Sequence, residues 1–363
     1  MSQNEPALLL YGPGYAGGLC ARELAAQGIP FVLAGRTDGP ALAELAAALG
    51  APTRVFALDD PAALARGLAG VRVVLNCAGP FAQTAAPLAS ACAAHGVHYL
   101  DLAGEVAEHD LVAALDDAAR ASGAMLLPGA GFGVVPTEVA AARAAAALAE
   151  PPARLVIAYE TVGGASRGTL ATVLRGLADP GIELRDGARV AIAPGARRIR
   201  MDLGGRAANP GRVGHEKARG ALVVTNPWRA DLVAAARSTG ARSIETYATF
   251  PAAARFLMRR PGFLRSRAGR WLIERIVRGA SAGPDERALA RGSTRVLAVA
   301  HGASGRSAEV RVRGPEAYVF TARAAAACAR AALDGRARAG YTTPSQLLGL
   351  DGLHVIAGVE VSP

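Results

Sequence analysis

A glycine-rich turn near the start of the chain has the composition of a phosphate-binding site. An apolar run at residues 7–11 is followed by three glycines with the spacing G-x-G-x-x-G, and then by an apolar-periodic segment from Leu19 to Gln27. The motif therefore lies between a predicted strand and a predicted helix, the context in which it indicates dinucleotide binding. Glycine there permits a tight turn, close approach of the backbone to a pyrophosphate and close helix packing. The residues predicted to form this site are Gly12, Gly14, Tyr15, Ala16 and Gly17.

The residue after the second predicted strand indicates which dinucleotide fits. A second apolar run ends in Gly35, about twenty residues past the glycines, where an NAD site carries an acidic residue for the ribose 2′-hydroxyl. Here Arg36 and Thr37 follow instead. A guanidinium can pair with a 2′-phosphate and stack on adenine, and a hydroxyl beside it can donate a hydrogen bond. The sequence therefore predicts NADP or NADPH as the cofactor.

The ends of two later strands extend the predicted site. A third strand, Arg54–Leu58, ends at Asp59, which we expect either to line the adenine pocket or simply to follow the strand. A fourth strand, Val71–Leu75, leads into a loop at the carboxyl end of the central strand, where the nicotinamide half of the cofactor arrives. The loop residues predicted to contact the cofactor are Asn76, Ala78, Gly79, Pro80 and Phe81.

Three residues are candidates for acid/base chemistry. Tyr99 and Asp101 lie in a strand that ends near the same crevice, and Tyr159 lies in the following half of the chain. Each has a side chain that can exchange a proton, although a packing or hydrogen-bonding role is the alternative for each. No metal site is predicted, because the four cysteines are scattered without ligand spacing and are expected to be buried and reduced.

Alternating strand and helix patterns predict the fold class. The first part of the chain repeats βαβ units, which indicates an α/β, Rossmann-type, doubly wound parallel sheet. Runs of strands with few helices follow, which favours a second α+β domain with a mostly antiparallel sheet for substrate binding or dimerisation. The predicted domains are a dinucleotide-binding domain at 1–150, a substrate domain at 151–320 and a C-terminal segment at 321–363 that packs back on the first.

Composition excludes several classes of protein. The 363 residues are 51% hydrophobic and 19% charged, with a formal net charge of +10. The first 150 residues are net negative and the remainder is strongly basic, yet no nucleic-acid-binding motif accompanies the arginines. The sequence has no apolar leader and no long uncharged apolar run. We therefore expect a cytoplasmic protein that does not bind nucleic acid, and a homodimer through the second domain.

These motifs together resemble the saccharopine dehydrogenase-like oxidoreductases, and among them the trans-acting enoyl reductases. The resemblance rests on the glycine turn, the Gly35–Arg36 pair, the Asn-x-x-Gly-Pro-Phe loop at 76–81 and the stretch from His98 to Glu105. It implies an NADPH-dependent reductase that transfers a hydride to a polarised double bond. The chain departs from the family at Gly133 and Val134, where relatives carry Asp and Ser, so the substrate contacts there are expected to differ.

The resemblance leaves the function open between three alternatives. The first is reduction of the C=C bond of an enoyl or polyketide-type acyl thioester, and the second is reduction of an imine C=N bond. The absent Asp-Ser pair and the apolar composition favour the acyl substrate. The third alternative is an NADPH-binding redox sensor without turnover, since a cofactor fold alone does not imply catalysis.

A basic segment at 255–278 has no counterpart in these motifs. It contains eight arginines and one acidic residue, with apolar side chains at helical spacing. Such a segment could bury its apolar stripe in the second domain, dock an acidic acyl carrier protein or lie on an anionic membrane.

Overall fold

The computed structural model describes residues 7–204 and 220–363. Residues 1–6, on which the expectation of no leader segment rests in part, lie outside that range, as does the 205–219 part of the predicted second domain. The chain divides into two compact units. Unit 1 comprises Met1–Val135 and Tyr318–Ala357, and unit 2 comprises Pro136–Ala317 and Gly358–Pro363.

Up to residue 134 the chain alternates strands with helices. The elements are β1 (Leu8–Tyr11), α1 (Tyr15–Ala26), β2 (Phe31–Gly35), α2 (Pro40–Leu49), β3 (Thr53–Val55), α3 (Pro61–Leu68), β4 (Val73–Asn76), α4 (Phe81–His95), β5 (His98–Asp101), α5 (Val106–Ala113), α6 (Asp116–Ser122) and β6 (Met125–Leu127).

The middle of the chain is richer in strands. It contains α7 (Val135–Ala146), β7 (Pro152–Val162), α8 (Arg167–Gly176), β8 (Gly181–Arg185), β9 (Ala188–Ile192), β10 (Arg198–Met201), β11 (Ala221–Thr225), α9 (Asp231–Thr239), β12 (Ser243–Ala248), α10 (Ala252–Leu257), α11 (Pro261–Arg265), α12 (Arg267–Gly279), α13 (Glu286–Arg291), β13 (Ser293–Gly302) and β14 (Ser307–Pro315).

The C-terminal part returns to unit 1 before its last strand. It contains α14 (Ala317–Ala331), a π-helical turn (Ala332–Arg336), β15 (Gly340–Tyr341), α15 (Pro344–Leu348), a 3₁₀ turn (Gly352–Val355) and β16 (Glu360–Ser362).

Unit 1 is built on a seven-stranded parallel sheet with the order β15-β6-β5-β4-β1-β2-β3. The central strand β1 is buried throughout, as expected for a strand with helices on both faces. The chain passes from β1 to β2 on one side and then crosses to β4 on the other. This reversal leaves a crevice at the carboxyl ends of β1 and β4, the place where doubly wound sheets bind ligands.

Unit 2 contains a mixed sheet of nine strands. Its main path is β10-β11-β12-β7-β13-β14-β16, and β8 and β9 form a hairpin attached to β12. Among the strand pairs described in this second sheet, only β12–β7 is parallel. The predicted Rossmann-type sheet with a second α+β unit is therefore confirmed.

Three elements differ from the sequence prediction, each for a local reason. The third strand is shorter than expected, because its neighbour β2 ends at Gly35. The Phe56 amide still donates to the Gly35 carbonyl at 3.0 Å, and the chain then leaves the sheet. The sequence pattern predicts a single helix over 110–122, whereas the structure has two helices, α5 and α6, interrupted at Leu115. The basic segment forms three helices rather than one, since Pro261 begins α11 and the Ser266 hydroxyl caps α12.

Within the described ranges, none of the helices combines the length and apolar composition needed to cross a bilayer. The expected cytoplasmic location and the homodimer stay predictions.

Candidate functional site

The glycine turn between β1 and α1 is a point of close backbone approach. Gly12 has φ +101°, a left-handed conformation that side chains rarely adopt, and a Cβ built on it would lie 2.6 Å from the Ala78 amide nitrogen. A Cβ on Gly17 would lie 2.0 Å from the Gly12 carbonyl oxygen. These two glycines are therefore required by the fold, which packs α1 and the loop after β4 tightly around the turn.

Gly14 differs from Gly12 and Gly17, because no close contact with the described residues requires a glycine there. It is the N-cap residue of α1 with φ −71°, and a Cβ there would meet nothing within 4 Å. It has no side chain to cap the helix, and the first turn carries no acidic residue. An open helix N-terminus with free space beside its first amides suits a pyrophosphate. The local structure thus fits the predicted cofactor.

Gly14→Ala should therefore weaken cofactor binding while leaving the fold intact. We expect NADPH affinity to fall roughly tenfold or more, because the added methyl group occupies the space where the backbone approaches the pyrophosphate. The measurement is a fluorescence titration with NADPH alongside a thermal melt. Gly18→Ala is the matched control, since its Cβ also meets nothing within 4 Å but lies one turn further along α1. Equal affinities of the two variants would contradict the pyrophosphate assignment.

Arg36 lies at the carboxyl end of β2 with its side chain exposed. Burial raises the pKa of Tyr11, while the Arg36 guanidinium acts to lower it and the Asp59 carboxylate to raise it. Both charged groups are thus within electrostatic reach of the Tyr11 hydroxyl, which donates to the Phe56 carbonyl at 3.0 Å. Across the described part of the chain, Arg36 has no hydrogen-bonded or ion-pair partner. Its guanidinium is therefore open to an anion at this edge of the sheet.

Thr37 follows Arg36 and is also exposed, whereas Gly35 is buried at the end of β2. A Cβ on Gly35 would make only ordinary contacts, at 3.6 Å. Gly35 is therefore not required by close packing in the way that Gly12 and Gly17 are. Direct contact of Gly35, Thr37 and Asp59 with the cofactor stays a prediction.

The loop after β4 is ordered by a buried amide. Asn76 donates from Nδ2 to the Tyr99 hydroxyl at 3.1 Å and to Thr84 Oγ1 at 3.3 Å, and its Oδ1 accepts from the Ala78 amide at 3.0 Å. Thr84 Oγ1 in turn donates to the Ala78 carbonyl at 2.6 Å. The Gly79–Pro80 peptide in this loop is cis. Asn76 thus shapes the loop from beneath, which leaves the backbone of Ala78 to Phe81 as the part that can face a ligand.

Asp101 joins the ends of neighbouring strands. Its Oδ1 accepts from the amides of Ala103 at 2.9 Å and Gly129 at 2.8 Å, and its Oδ2 accepts from the Tyr99 hydroxyl at 2.9 Å. With Asn76, these bonds connect the loops after β4, β5 and β6 through one fully buried cluster, Asn76–Tyr99–Asp101. We call it the edge cluster.

Burial sets the proton affinities within the edge cluster. It raises the pKa of Asp101 from its ordinary 3.8 to about 6, although the hydrogen bonds from Gly129, Ala103 and Tyr99 act in the opposite direction. Burial and the neighbouring Asp101 also raise the pKa of Tyr99. A buried phenol with a raised pKa, already donating to a carboxylate, is poorly suited to give its proton to a substrate. The geometry therefore favours a positioning role for Tyr99 and Asp101.

Tyr159 lies in unit 2, on β7, and is only partly buried. Its hydroxyl accepts from Asn226 Nδ2 at 2.6 Å, and the Arg229 guanidinium lies over its ring at 4.7 Å. Arg229 is also 3.5 Å from Asp231, a fully buried carboxyl whose pKa is raised by burial and lowered by Arg229. Among the three predicted acid/base residues, the structure brings Tyr99 and Asp101 together and places Tyr159 in a separate polar group.

Sequence reasoning missed the partners of Tyr159. Asn226, Arg229 and Asp231 follow β11 within six residues, but they lie more than sixty positions after Tyr159. A polar Asn-Pro-Trp-Arg-Ala-Asp stretch directly after a strand is the signal that could have identified them.

The position where the chain departs from its relatives is apolar and packed. Val134 is fully buried, and Phe132 contacts Phe320 edge-to-face with ring centroids 5.6 Å apart. The Phe132 amide donates to Thr321 Oγ1 at 3.1 Å. The loop after β6 thus has Gly133 and the buried Val134 at the two positions where the resemblance implies a carboxylate and a hydroxyl.

Comparison with known proteins agrees with this description. Residues 8–127 match the saccharopine dehydrogenase NADP binding domain. A candidate trans-acting enoyl reductase of Mycobacterium tuberculosis is 31% identical over 181 residues, which are 46% of this chain and 43% of the relative. A saccharopine dehydrogenase-like oxidoreductase of Arabidopsis thaliana is 35% identical over 82 residues, 22% of this chain and 18% of that protein.

The aligned region spans less than half the length of either relative. Among solved structures, a saccharopine dehydrogenase of Saccharomyces cerevisiae has the same fold, with a TM-score of 0.66 at 13% identity over 98% of this chain and 99% of that one. The predicted resemblance and the predicted cofactor are confirmed at this level. Over residues 8–127, the chain is similar to the NADP-binding domain of saccharopine dehydrogenases.

Proposed function

We propose that the protein is an NADPH-dependent reductase that transfers a hydride to the polarised C=C bond of an acyl thioester. The observation that carries this proposal is the NADP-binding domain at 8–127, with its open helix N-terminus and exposed Arg36. The similarity to a candidate enoyl reductase from Mycobacterium tuberculosis supports the substrate class.

Under this proposal the residues of the protein act mainly by positioning the cofactor. Bound NADPH supplies a hydride from its nicotinamide ring. The N-terminus of α1 would hold the pyrophosphate and Arg36 would hold the 2′-phosphate, so the cofactor would be fixed at both ends of its adenosine half. The edge cluster holds the loop at Ala78–Phe81 rigid beside the crevice. Accurate placement of the reacting atoms is a large part of catalysis for such transfers.

Tyr159 is the acid/base candidate that the local geometry favours. Its hydroxyl accepts a hydrogen bond from Asn226, and its ring is only partly buried. Of the three acid/base candidates, we therefore propose Tyr159 as the proton donor, and Tyr99 and Asp101 have a positioning role.

Tyr159→Phe tests this assignment. If Tyr159 donates the proton, kcat should fall about a hundredfold, while the affinity for NADPH stays unchanged. The matched control is Tyr247→Phe in the same sheet, whose hydroxyl bonds Glu245 at 2.5 Å. Equal losses of kcat in both variants would contradict a specific role for Tyr159.

The apolar loop after β6 favours an acyl substrate over a charged one. Gly133 and Val134 stand in this loop, so it lacks the carboxylate and hydroxyl that would bind a polar substrate. An apolar surface suits an acyl chain. The similarity to a saccharopine dehydrogenase-like oxidoreductase of Arabidopsis thaliana favours the second candidate, reduction of an imine C=N bond.

The experiment that separates these functions is a paired assay. Purified protein with NADPH is mixed with a short enoyl thioester or with a cyclic imine that carries a carboxylate, and the loss of NADPH absorbance is followed. We expect turnover of the enoyl thioester. Turnover of the imine alone would overturn the acyl assignment in favour of the second candidate. Tight NADPH binding with neither substrate consumed would identify a non-catalytic cofactor-binding protein.

A further inference from the structure

Three helices of unit 2 carry a surface that the proposed reductase function does not use. These helices and the turns that join them contain five exposed large apolar residues and eight arginines, of which seven are exposed. We call this surface the arginine–aromatic face; its apolar members are Phe256, Phe263, Trp271, Leu272 and Ile276, and its arginines are those between residues 255 and 278. We propose that this face binds the surface of an anionic lipid bilayer.

The helices are already held in place by a different set of apolar residues. Leu264 and Ile273 are buried in a cluster with Leu177, Met258 and Val224. Gly269 allows α12 to pack closely, since a Cβ there would lie 2.1 Å from the Phe263 carbonyl oxygen. The fold thus has its own buried seam and does not need the outward apolar side chains.

The exposure of the outward residues is unusual for their size. Trp271 is 62% exposed and Phe256 is 54% exposed. Of the eleven large apolar side chains exposed in the described residues, five belong to this face, although it spans only residues 256–276. Concentrated exposed apolar area of this kind marks an interaction surface rather than a random distribution.

The geometry of α12 places Trp271 opposite the buried side of the helix. Gly269 and Ile273 form the buried side at a spacing of four residues. Trp271 lies two residues from each, so its side chain points away from them. Arg267 and Arg275 are four residues before and after Trp271 and flank it on the outer side, with the Arg275 guanidinium 5.7 Å from its ring.

Charge favours an anionic partner. The segment 255–278 contains one acidic residue, Glu274, and that carboxylate already pairs with Arg278 at 3.0 Å. Arg265 lies 3.6 Å from Asp179, and Arg255 donates to the Phe250 carbonyl. The other five arginines have no carboxylate partner among the described residues, and Arg260 lies over the Phe256 ring at 4.5 Å. Guanidinium groups bind phosphates well through paired hydrogen bonds.

The combination of charge and apolar exposure favours lipid. A bilayer surface offers anionic phosphates together with an apolar layer a few ångströms below, and helices with Trp, Phe and Leu beside arginines lie at this boundary. A nucleic acid would satisfy the arginines, but it has no apolar layer for Leu272 and Ile276. An acidic carrier protein could satisfy both features and is the competing occupant.

Vesicle binding tests the proposal with the full chain. Protein is mixed with vesicles of phosphatidylcholine, either alone or with phosphatidylglycerol, and the bound fraction is measured by flotation at low and high salt. We expect binding to the anionic vesicles, weakened by salt. The chain has two tryptophans, so a Trp228→Phe background leaves Trp271 as the fluorescent reporter. Its emission should shift to shorter wavelength on binding.

Matched variants locate the binding surface. The double variant Arg267→Gln, Arg270→Gln should bind anionic vesicles about thirtyfold more weakly, because each basic residue near such a surface raises the affinity roughly fivefold. Trp271→Ala should lose about tenfold. The controls are Arg22→Gln with Arg66→Gln, two exposed arginines of unit 1, and Val355→Ala, an apolar side chain that is 65% exposed. These controls should bind like the wild type.

Three results would overturn the proposal. The first is no binding to anionic vesicles, and the second is equal loss in the control variants. The third is binding to a purified acidic carrier protein that depends on Arg267 and Trp271 in the absence of any vesicle binding. None of these results depends on reductase activity, so the lipid proposal and the proposed function can fail separately.

Discussion

Replacing Gly17 by alanine is expected to destabilise the protein by at least about 3 kcal/mol and to abolish tight NADPH binding. The Cβ would lie 2.0 Å from the Gly12 carbonyl oxygen and 3.1 Å from Cys77 Cβ. Because the nearest atom belongs to the backbone, the clash can be relieved only by moving α1 away from the turn. That movement would displace the helix N-terminus that we predict to hold the pyrophosphate.

The control for this prediction lies next to it in the sequence. Gly18 is also in α1, but a Cβ there would meet nothing within 4 Å. Gly18→Ala should stabilise the helix by up to about 1 kcal/mol, because alanine loses less backbone entropy than glycine. Denaturant unfolding of both variants, followed by NADPH titration, makes the comparison. Similar free energies of unfolding for the two variants would show that α1 does not pack on the turn as described.

The second large effect concerns Asp101 and pH. The folded-state pKa of Asp101 is about 6, against an ordinary value of 3.8. Between these two values the folded protein binds more protons than the unfolded chain, so this carboxyl makes the free energy of unfolding fall as pH rises. The stabilising contribution of Asp101 to the free energy of unfolding is fully present below about pH 4 and is lost above about pH 6. Two pKa units correspond to roughly 3 kcal/mol.

Asp101→Asn removes the titration while keeping an oxygen that can accept from Ala103 and Gly129. Other groups also titrate, so the informative quantity is the difference in free energy of unfolding between the variant and the wild type. We expect the variant to gain about 3 kcal/mol relative to the wild type between pH 4 and pH 7. Tyr99→Phe keeps the carboxyl and should retain the wild-type direction of pH dependence. A difference that stays constant across this range would show that Asp101 does not titrate as described.

The parts of the site that the sequence could predict are local. Three glycines, an apolar strand and a helix lie within twenty residues of one another, so the turn and its ligand follow from spacing and backbone sterics. Arg36 was predictable for the same reason, because its position depends only on the strand that ends at Gly35. The alternating pattern of the first part of the chain was likewise enough to predict its parallel sheet.

Other parts depend on contacts between distant residues, which spacing does not reveal. Strand β15 pairs with β6 although more than two hundred residues separate them. Tyr159 meets Asn226 because β7 and β12 are neighbours in the second sheet and β11 ends beside β12. The sequence was enough to assign Asn76 to the cofactor loop, but it did not show that the Asn76 side chain is buried beneath that loop. Tyr99 was chosen for its chemistry, whereas its burial with Asp101 became visible only in the fold.

We propose that the sheet edge formed by the carboxyl ends of β1, β2 and β4 binds NADP through the glycine turn and Arg36. Fluorescence titration of the wild type, Arg36→Ala and the control Arg22→Ala with NADPH and NADH tests it most directly. A charge-assisted contact with the 2′-phosphate predicts that the wild type and the control prefer NADPH by roughly a hundredfold, and that Arg36→Ala loses this preference by losing affinity for NADPH alone. Equal affinity of the wild type for both cofactors, or a preference that survives in Arg36→Ala, would contradict the claim.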